Sequence, residues 1–225
     1  MEHPYLYIQI PGFEAYPHVT YTWVIMIFLA VISFATTRAL RLVPEGLQNF
    51  FEIVVSGIAD FMRDVIGPEG PQYMFLIGTL ALFILISNLA GMIPGFTSPT
   101  NNLNTNFAMA ITVFILYHCI GLKKHGVAYL KHFTGPIIWL APIMVPIEVI
   151  GHLARILSLS IRLFGNIMGH DIILIILAFL GGLSAFLFWA PVPMMFMGVF
   201  VSFIQTFVFV LLSMIYIALA LEEEH

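Results

Sequence analysis

Charged side chains are scarce in this sequence of 225 residues, where Lys, Arg, Asp and Glu together make up 9%. A soluble domain usually carries about a quarter charged residues. Hydrophobic residues make up 60% of the chain, and its mean hydropathy is +1.01. This composition excludes an ordinary soluble domain and predicts a protein whose solvent is mostly lipid.

Several kinds of functional site also lack the residues they need. Cys119 is the one cysteine, so no internal disulfide can form, and the sequence has neither a CxxC nor an HExxH spacing. We therefore expect no metal site and no cofactor. The net charge is -4 and no basic stripe occurs, which excludes a nucleic-acid surface.

Long apolar runs predict an all-α membrane protein with about five membrane-embedded helices. A run of about 20 residues is long enough to cross the hydrocarbon core of a bilayer. Such runs occur at residues 19–37, 73–93, 107–122 and 194–221, and a longer one covers 137–182. A polar segment rich in turn-forming residues, 94–106, separates the second run from the third. We interpret residues 1–225 as a single membrane domain.

The positions of the cations predict the orientation of the chain. Six of the eight Lys and Arg residues lie in or beside two loops: Arg38, Arg41, Arg63, Lys123, Lys124 and Lys131. The positive-inside rule places both loops in the cytoplasm. The N-terminus and the segment 94–106 are then outside, and the C-terminus is in the cytoplasm.

Residues 44–66 have a different pattern from the apolar runs. Their hydrophobic side chains recur at helical spacing: Leu47, Phe50, Phe51, Val54, Ile58, Phe61, Met62 and Val65. The opposite face is polar, and Pro44 is a good first residue for a helix. The pattern predicts an amphipathic helix on the cytoplasmic membrane face or against a partner. The alternative is a helix packed on the loops of the chain itself.

The longest apolar run, 137–182, exceeds the length of an upright span. As one helix it would be about 69 Å long, whereas the hydrocarbon core is about 30 Å thick. We expect it to form a hairpin with 194–221 that is steeply tilted, bent or broken. The alternative divides 137–182 into two upright spans, which reverses the side on which the C-terminus lies.

Polar and charged residues interrupt this run at helical intervals. They are spaced 4, 3, 7, 4 and 4 residues apart: Glu148, His152, Arg155, Arg162, Asn166 and His170. At about 100° per residue, all six fall within about 40° of one line along the helix. Because the line is about 33 Å long, this face predicts a polar path most of the way across the membrane.

Arg162 is the most informative residue of this line, because an arginine inside a membrane segment needs a counter-charge. None of the residues one helical turn away is an anion: Ser158, Leu159, Gly165 and Asn166. No Asp or Glu occurs in the other apolar segments: 19–37, 73–93, 107–122 and 194–220. We therefore predict that the counter-charge comes from a different subunit. The alternative, snorkelling of the side chain to the membrane interface, suits Arg155 better.

Other polar residues of the apolar runs are candidates for a proton path. Four of them titrate: Glu148, His152, His170 and Asp171. Titratable groups along one wet face are what proton relays use. Three more are polar but uncharged: Ser202 and Gln205 in the last run, and Asn88 in the second. The alternative for each is a structural hydrogen bond between helices, and we interpret His118 as a residue outside the site.

The segments SLSIRLFGN (158–166) and IQTFVFVLLSMIYIALALEEEH (204–225) resemble subunit a of bacterial F-type ATP synthases. The segments NLAGMIPGFTSPT and PIEVIGHLAR fit the same family, so the resemblance covers most of the chain. It implies a membrane stator in the bacterial inner membrane, beside a ring of c subunits that each carry one essential carboxylate. It also implies contacts with peripheral-stalk b subunits and the remaining ATP synthase subunits. Since the catalytic ATP sites then lie on other subunits, this chain would not itself be an enzyme.

The resemblance also implies a role for single residues. Arg162 matches the arginine that faces the ring carboxylate and gates proton transfer, and Asn166 and Gln205 match polar residues near it. Glu148 matches the acid of the cytoplasmic half-channel. Asp171 matches a position that is often Glu and belongs to the outer half-channel.

One pair of residues departs from the pattern of the family. Many relatives have Gly where this chain has His170, and His where it has Gly198. The resemblance implies that the two positions face each other, so that the imidazole occupies the same space from the other helix.

Three other functions fit parts of the sequence. A stand-alone ion-coupled transporter would be active without partners. An intramembrane hydrolase would use His152, His170 and Asp171, although neither a serine nucleophile motif nor a zinc spacing is present. A structural scaffold would leave Arg162 unexplained. The sequence leaves open whether the transported ion is H+ or Na+.

Overall fold

The structure, a computed structural model, describes residues 17–38, 44–93, 96–126, 129, 139, 141–183 and 189–222. These residues form α-helices and two short 3-10 helices, and no β-strand occurs among them. The α-helices are α1 (Pro17–Thr37), α2 (Leu47–Ile66), α3 (Met74–Ala90), α4 (Leu103–His125), α5 (Ala141–Leu183) and α6 (Pro191–Leu221). All except α2 are long and apolar enough to cross a membrane, α3 together with the preceding turn Gly70–Tyr73. The prediction of an all-α membrane protein is confirmed.

Some residues that supported the sequence predictions lie outside the described residues. Arg41 and Lys131 contribute to the predicted orientation, and residues 94–95 belong to the predicted polar segment. The same holds for 184–188, between the two segments of the predicted hairpin, and for 223–225 after the last span. The orientation of the chain stays a prediction.

Helix α4 begins at Leu103, four residues before the predicted start. The polar residues that suggested a loop are the ones that begin the helix. The side chain of Asn102 caps it by accepting a hydrogen bond from the backbone N–H of Asn104, at 2.9 Å. Asn106 is fully buried and donates from Nδ2 to the backbone oxygen of Thr100, at 2.8 Å. Because capping residues are also turn formers, the pattern placed the loop too far along the chain.

Helix α5 is a single uninterrupted helix of 43 residues. Its length is about 64 Å, roughly twice the thickness of the hydrocarbon core. Pro146 lies inside it but near its start, where a missing N–H removes only one hydrogen bond. The alternative that divides this region into two upright spans is therefore wrong, and α5 must cross the membrane obliquely or extend beyond it.

The core of the protein lies where α3, α4, α5 and α6 meet. Helix α5 packs most extensively on α4 and also on α6, and α3 packs on α6. Large side chains are fully or almost fully buried along these contacts: Ile77, Ile84, Val113, Leu163, Met214 and Ile217. In lipid, such packing stabilises the fold through van der Waals contact more than through exclusion of water.

The inner face of α6 carries small and polar residues. Hydroxyls on this face are bonded within the helix: Ser202 Oγ donates to the oxygen of Gly198, and Thr206 Oγ1 to the oxygen of Ser202, both at 2.8 Å. Small residues with internally bonded hydroxyls let a neighbouring helix approach closely. Gly198, Ser202 and Gln205 lie on this face and are buried against the rest of the protein.

Helix α2 packs on α6 through residues of its second half. Met62 is fully buried, and the ring of Phe61 stacks on that of Phe207, with the ring centroids 5.4 Å apart. The first half leaves Leu47, Phe50 and Ile53 exposed. An exposed apolar stretch suits the predicted membrane interface, a placement that stays a prediction.

Candidate functional site

A cavity between α3, α5 and α6 collects most of the predicted polar residues. Its volume is about 20 Å³, which is room for about one water molecule. Six of the predicted site residues line it: Asn88, Asn166, His170, Asp171, Ser202 and Gln205. We call these six residues the Asp171 cluster. Asn88 and Asp171, which are 83 residues apart in the first and second of these helices, thus share one cavity, which only the packing of the helices could bring about.

Two amide hydrogen bonds fix side chains of the Asp171 cluster. Nδ2 of Asn166 donates to Oε1 of Gln205 across α5 and α6, at 2.6 Å. Nδ2 of Asn101 donates to Oδ2 of Asp171, at 2.8 Å. The first bond pairs two amides that would otherwise be costly in an apolar surrounding. The second holds the carboxylate in one orientation.

The turn that carries Asn101 is itself held by buried hydrogen bonds. Oγ1 of Thr100 donates to Oδ1 of Asn88, at 2.7 Å, and Oγ of Ser98 donates to the backbone oxygen of Ser87, at 2.8 Å. Buried polar groups bonded in this way specify one arrangement of the chain. Sequence reasoning missed Asn101 and Thr100, although the run of amide and hydroxyl side chains before α4 was a signal.

His170 lies directly against Gly198. A Cβ atom placed on Gly198 would collide with the imidazole ring and with the terminal methyl of Met92. The two positions therefore face each other across the hairpin, as the resemblance implied. Nε2 of His170 and Nδ2 of Asn88 are buried and have no hydrogen-bond partner within the described part of the chain. The Asn88 amide can donate a hydrogen bond to a polar group in the cavity, and the His170 nitrogen can donate or accept one according to its tautomer.

Arg162 lies on the outer surface of α5 and is exposed in this chain. Its Nη2 donates to Oγ of Ser158 at 3.4 Å, a long and weak contact. Within the described ranges, no Asp or Glu forms an ion pair with it. The described part of the chain therefore does not supply the negative charge that the sequence predicts opposite Arg162.

A second group of polar residues surrounds His152, which is 6% exposed. Its Nε2 lies 3.3 Å from Oε1 of Glu148, and its Nδ1 lies 2.8 Å from the hydroxyl of Tyr117. The ring of His118 lies 4.8 Å from that of His152, between centroids. We call these four residues the Glu148 cluster. Sequence reasoning missed Tyr117 and placed His118 outside the site, because both belong to another helix.

Tyr129 extends the aromatic surroundings of this cluster, with its ring 6.0 Å from that of His118. Burial raises the pKa of the Tyr129 phenol, an effect that the positive charge of Arg155 partly opposes. The phenol is therefore neutral at physiological pH. It adds hydrogen-bonding capacity to the cluster but no charge.

The predicted polar line of α5 divides between two environments. His152 is buried against α4, whereas Arg162 and Asn166 are exposed along the other margin. Arg155 lies between these extremes, with its guanidinium carbon 5.4 Å from the ring centroid of Tyr216. The angular spread of the line is wide enough for α4 and α6 to cover one margin and leave the other open.

Arg162 separates the two clusters along the axis of α5. It follows His152 by ten residues and precedes Asp171 by nine, or about 15 Å and about 13.5 Å. Each cluster can bind and release protons, and a permanent positive charge stands between them. Such an arrangement can admit protons from two sides while opposing direct passage from one cluster to the other.

The geometry does not support the hydrolase alternative. His152 and Asp171 lie 19 residues apart on one continuous helix, which separates them by about 28 Å. Residues this far apart cannot act on one bond. Within the described residues, no group of three or more His, Cys, Asp or Glu side chains is placed to hold a metal ion.

The chain is similar to the members of one protein family. A family model described as ATP synthase A chain matches residues 19–218. The chain is 50% identical to ATP synthase subunit a of Desulfosudis oleivorans, with both chains covered completely. It is 56% identical to ATP synthase subunit a 1 of Pelobacter propionicus, over 92% of this chain and 88% of the relative. It is 54% identical to ATP synthase subunit a of Geobacter sulfurreducens, over 98% and 93%.

Proposed function

We propose a function from one established premise, that this chain belongs to the ATP synthase A chain family. Membership makes it a multi-pass membrane protein and a subunit of the membrane sector of a multi-subunit ATP synthase. We infer that it is the stator that carries protons to and from the carboxylates of a rotating ring of c subunits. The ATP-hydrolysing and ATP-forming sites then lie on other subunits.

The observation that carries this proposal is the isolation of Arg162. The guanidinium is exposed, has no carboxylate partner in the described chain, and lies between the two clusters. A deprotonated ring carboxylate about 4 Å away would be attracted by roughly 4 kcal/mol at an effective dielectric constant near 20. A protonated carboxyl is neutral and would leave Arg162 for the lipid. The ring can therefore turn only as its carboxyls exchange protons.

The two clusters are proposed to be the inner ends of two half-channels. The Glu148 cluster lies near the start of α5, which the positive-inside rule places on the cytoplasmic side. The Asp171 cluster lies towards the other end and would open to the outside of the bacterial inner membrane. Orientation with the N-terminus outside and the C-terminus inside follows from the same rule. A proton entering from one side would have to travel with the ring before it leaves on the other.

The surface around Arg162 suits a ring of apolar helices. Large hydrophobic side chains stay exposed on α5 within two turns of this residue, namely Leu157, Ile161 and Met168, and Phe203 and Ile204 are exposed on α6. Such a surface needs lipid or another apolar helix as its partner. Peripheral-stalk b subunits are further proposed partners.

The test is ATP-driven acidification of inverted membrane vesicles that contain the whole ATP synthase. Arg162→Ala should abolish acidification, because the ring carboxylates lose the charge that draws them to the gate. Gln205→Leu should slow it, since it removes the acceptor of the Asn166 amide. Ile27→Val, at an exposed position of α1, is the control and should pump at the wild-type rate.

Assembly is measured in the same vesicles by immunoblotting the ring and stalk subunits. Wild-type pumping by a fully assembled Arg162→Ala complex would show that the arginine is structural. Proton transport by the purified chain alone would instead support the stand-alone transporter.

A further inference from the structure

The contact between Tyr117 and His152 joins α4 to α5 through a hydroxyl and an imidazole. The hydroxyl oxygen and Nδ1 are 2.8 Å apart, and the side chains are 3% and 6% exposed. Buried polar groups require hydrogen-bond partners, so this contact alone would indicate no more than a structural role. The resemblance to subunit a gives Tyr117 no role.

The second nitrogen of His152 makes the contact more than a structural pair. Nε2 lies 3.3 Å from Oε1 of Glu148, within ion-pair distance but without hydrogen-bond geometry, so the imidazole faces a polar group at each ring nitrogen. An imidazole with partners on both sides can accept a proton at one nitrogen and release one from the other. Glu148, His152 and Tyr117 thus form a chain of three groups able to exchange protons.

Tyr117 is the member of this chain that reaches a small cavity. The cavity lies between α4, α5 and α6, has a volume of about 10 Å³ and is partly open to the surface, and Tyr117 lines it together with Leu159, Arg155 and Tyr216. Neither His152 nor Glu148 lines it. Leu159 lies one helical turn before Arg162, so the cavity extends towards the level of the proposed gate. Among the residues that line this cavity, Tyr117 is the one bonded to His152.

Charged and titratable groups surround the chain on every packed element. His118 and Tyr129 face it from α4 and the segment after it, Arg155 from α5, and Tyr216 from α6. Arg155 lies one helical turn from His152 and carries a permanent positive charge. The guanidinium of Arg155 would repel a protonated imidazole. This repulsion favours passage of a proton through His152 over its storage there.

We propose that Tyr117 is a proton-transfer residue that links the cavity lined by Leu159 and Arg155 to His152 and Glu148. For release to the cytoplasm, Tyr117 passes its hydroxyl proton to Nδ1 of His152 while Nε2 passes one to the Glu148 carboxylate. Tyr117 then regains a proton from the cavity. The imidazole is left with its proton on Nδ1, and before the next transfer water takes that proton and returns one to Nε2, with no net gain or loss. Every proton taken from the cavity appears on Glu148, and pumping runs the same steps in reverse. The proposal rests on the proposed function of the chain.

The experiment compares Tyr117→Phe with wild type in the whole ATP synthase, by ATP-driven acidification of inverted vesicles at matched assembly. Tyr117→Phe keeps the ring and removes the transferring hydroxyl, so the rate should fall by about tenfold or more. Tyr73→Phe removes the same hydroxyl from a tyrosine outside both cavities and serves as the matched control, with an expected rate close to wild type.

Two further measurements separate proton transfer from packing. In Tyr117→Phe the slowed step moves a proton, so the rate ratio between H2O and D2O should rise above the wild-type ratio. A loss of folded complexes would lower the rate and leave this ratio unchanged. His152→Gln keeps hydrogen-bonding groups but cannot relay, and the double variant should be no slower than the slower single variant.

The outcomes distinguish this proposal from the proposed function. A wild-type rate in Tyr117→Phe, a fall with an unchanged isotope ratio, or additive losses in the double variant would each overturn the role of Tyr117. If Arg162→Ala still abolishes pumping in those vesicles, the stator function stands without the relay. If Tyr117→Phe does not assemble, the isotope ratio of His152→Gln decides, and a wild-type ratio overturns the relay.

Discussion

At the scale of single residues, Gly198 shows how one missing side chain shapes the Asp171 cluster. Because it has no Cβ, the ring of His170 lies directly against the backbone of α6. This gives a physical reason for the exchange of Gly and His between the two positions: the space between the helices holds one imidazole, from either side. Two large side chains would force the hairpin apart.

Gly198→Ala is therefore expected to destabilise the hairpin by about 1–3 kcal/mol, because the added methyl would overlap His170 and Met92. Thermal unfolding of the purified subunit in detergent measures the effect. Adding His170→Gly should recover most of the loss. Gly57→Ala, at an open position of α2, is the control and should be neutral or slightly stabilising. A Gly198→Ala protein as stable as wild type would contradict the close contact.

Asn101 is a positioning residue at the same scale, because its amide orients the Asp171 carboxylate. Asn101→Ala removes a hydrogen bond to a charged group, typically about 1.5–3 kcal/mol, and should slow proton-driven ATP synthesis several-fold. Asn101→Asp should slow it further, because two carboxylates repel each other. The exposed Asn104 supplies the control Asn104→Ala. Equal rates in Asn101→Ala and Asn104→Ala would show that the bond does not matter.

At the scale of helices, apolar length was a good predictor and polar boundaries were not. Helix α1 was predicted at 19–37 and occupies Pro17–Thr37, because its apolar run ends where its helix ends. Helix α4 starts earlier than predicted, because capping and buried asparagines look like loop residues in a sequence. The continuity of α5 was left open, since a proline near a helix start is compatible with both alternatives.

The candidate site was predictable on each helix but not between helices. Helical spacing placed His152 and Arg162 on one broad face, and it could not show which margin α4 would cover. Tyr117 and Asn101 gave no signal of their own, because each gains its significance from a contact made by packing. Residues that act through a partner on a distant segment are the ones that a single sequence conceals.

At the scale of the whole molecule, the proposed orientation determines which cluster meets which compartment. Labelling with a membrane-impermeant maleimide tests it, in a Cys119→Ser background because Cys119 is exposed. In inverted vesicles, Glu222→Cys should be labelled and Thr97→Cys should not, because the first lies after α6 and the second before α4. Permeabilised vesicles should label both. The reverse pattern would exchange the compartments of the two half-channels.

The continuity of α5 has a mechanical consequence. Arg162 is the middle residue of this helix, with 21 residues on each side. The helix packs against α4 and α6. A turning ring would exert a sideways force on it near its middle residue. Because one hydrogen-bonded backbone carries the loaded point and both clusters, strain at the arginine would be shared by the two ends. The stiffness of α5 would then limit how much torque the machine can bear without slipping.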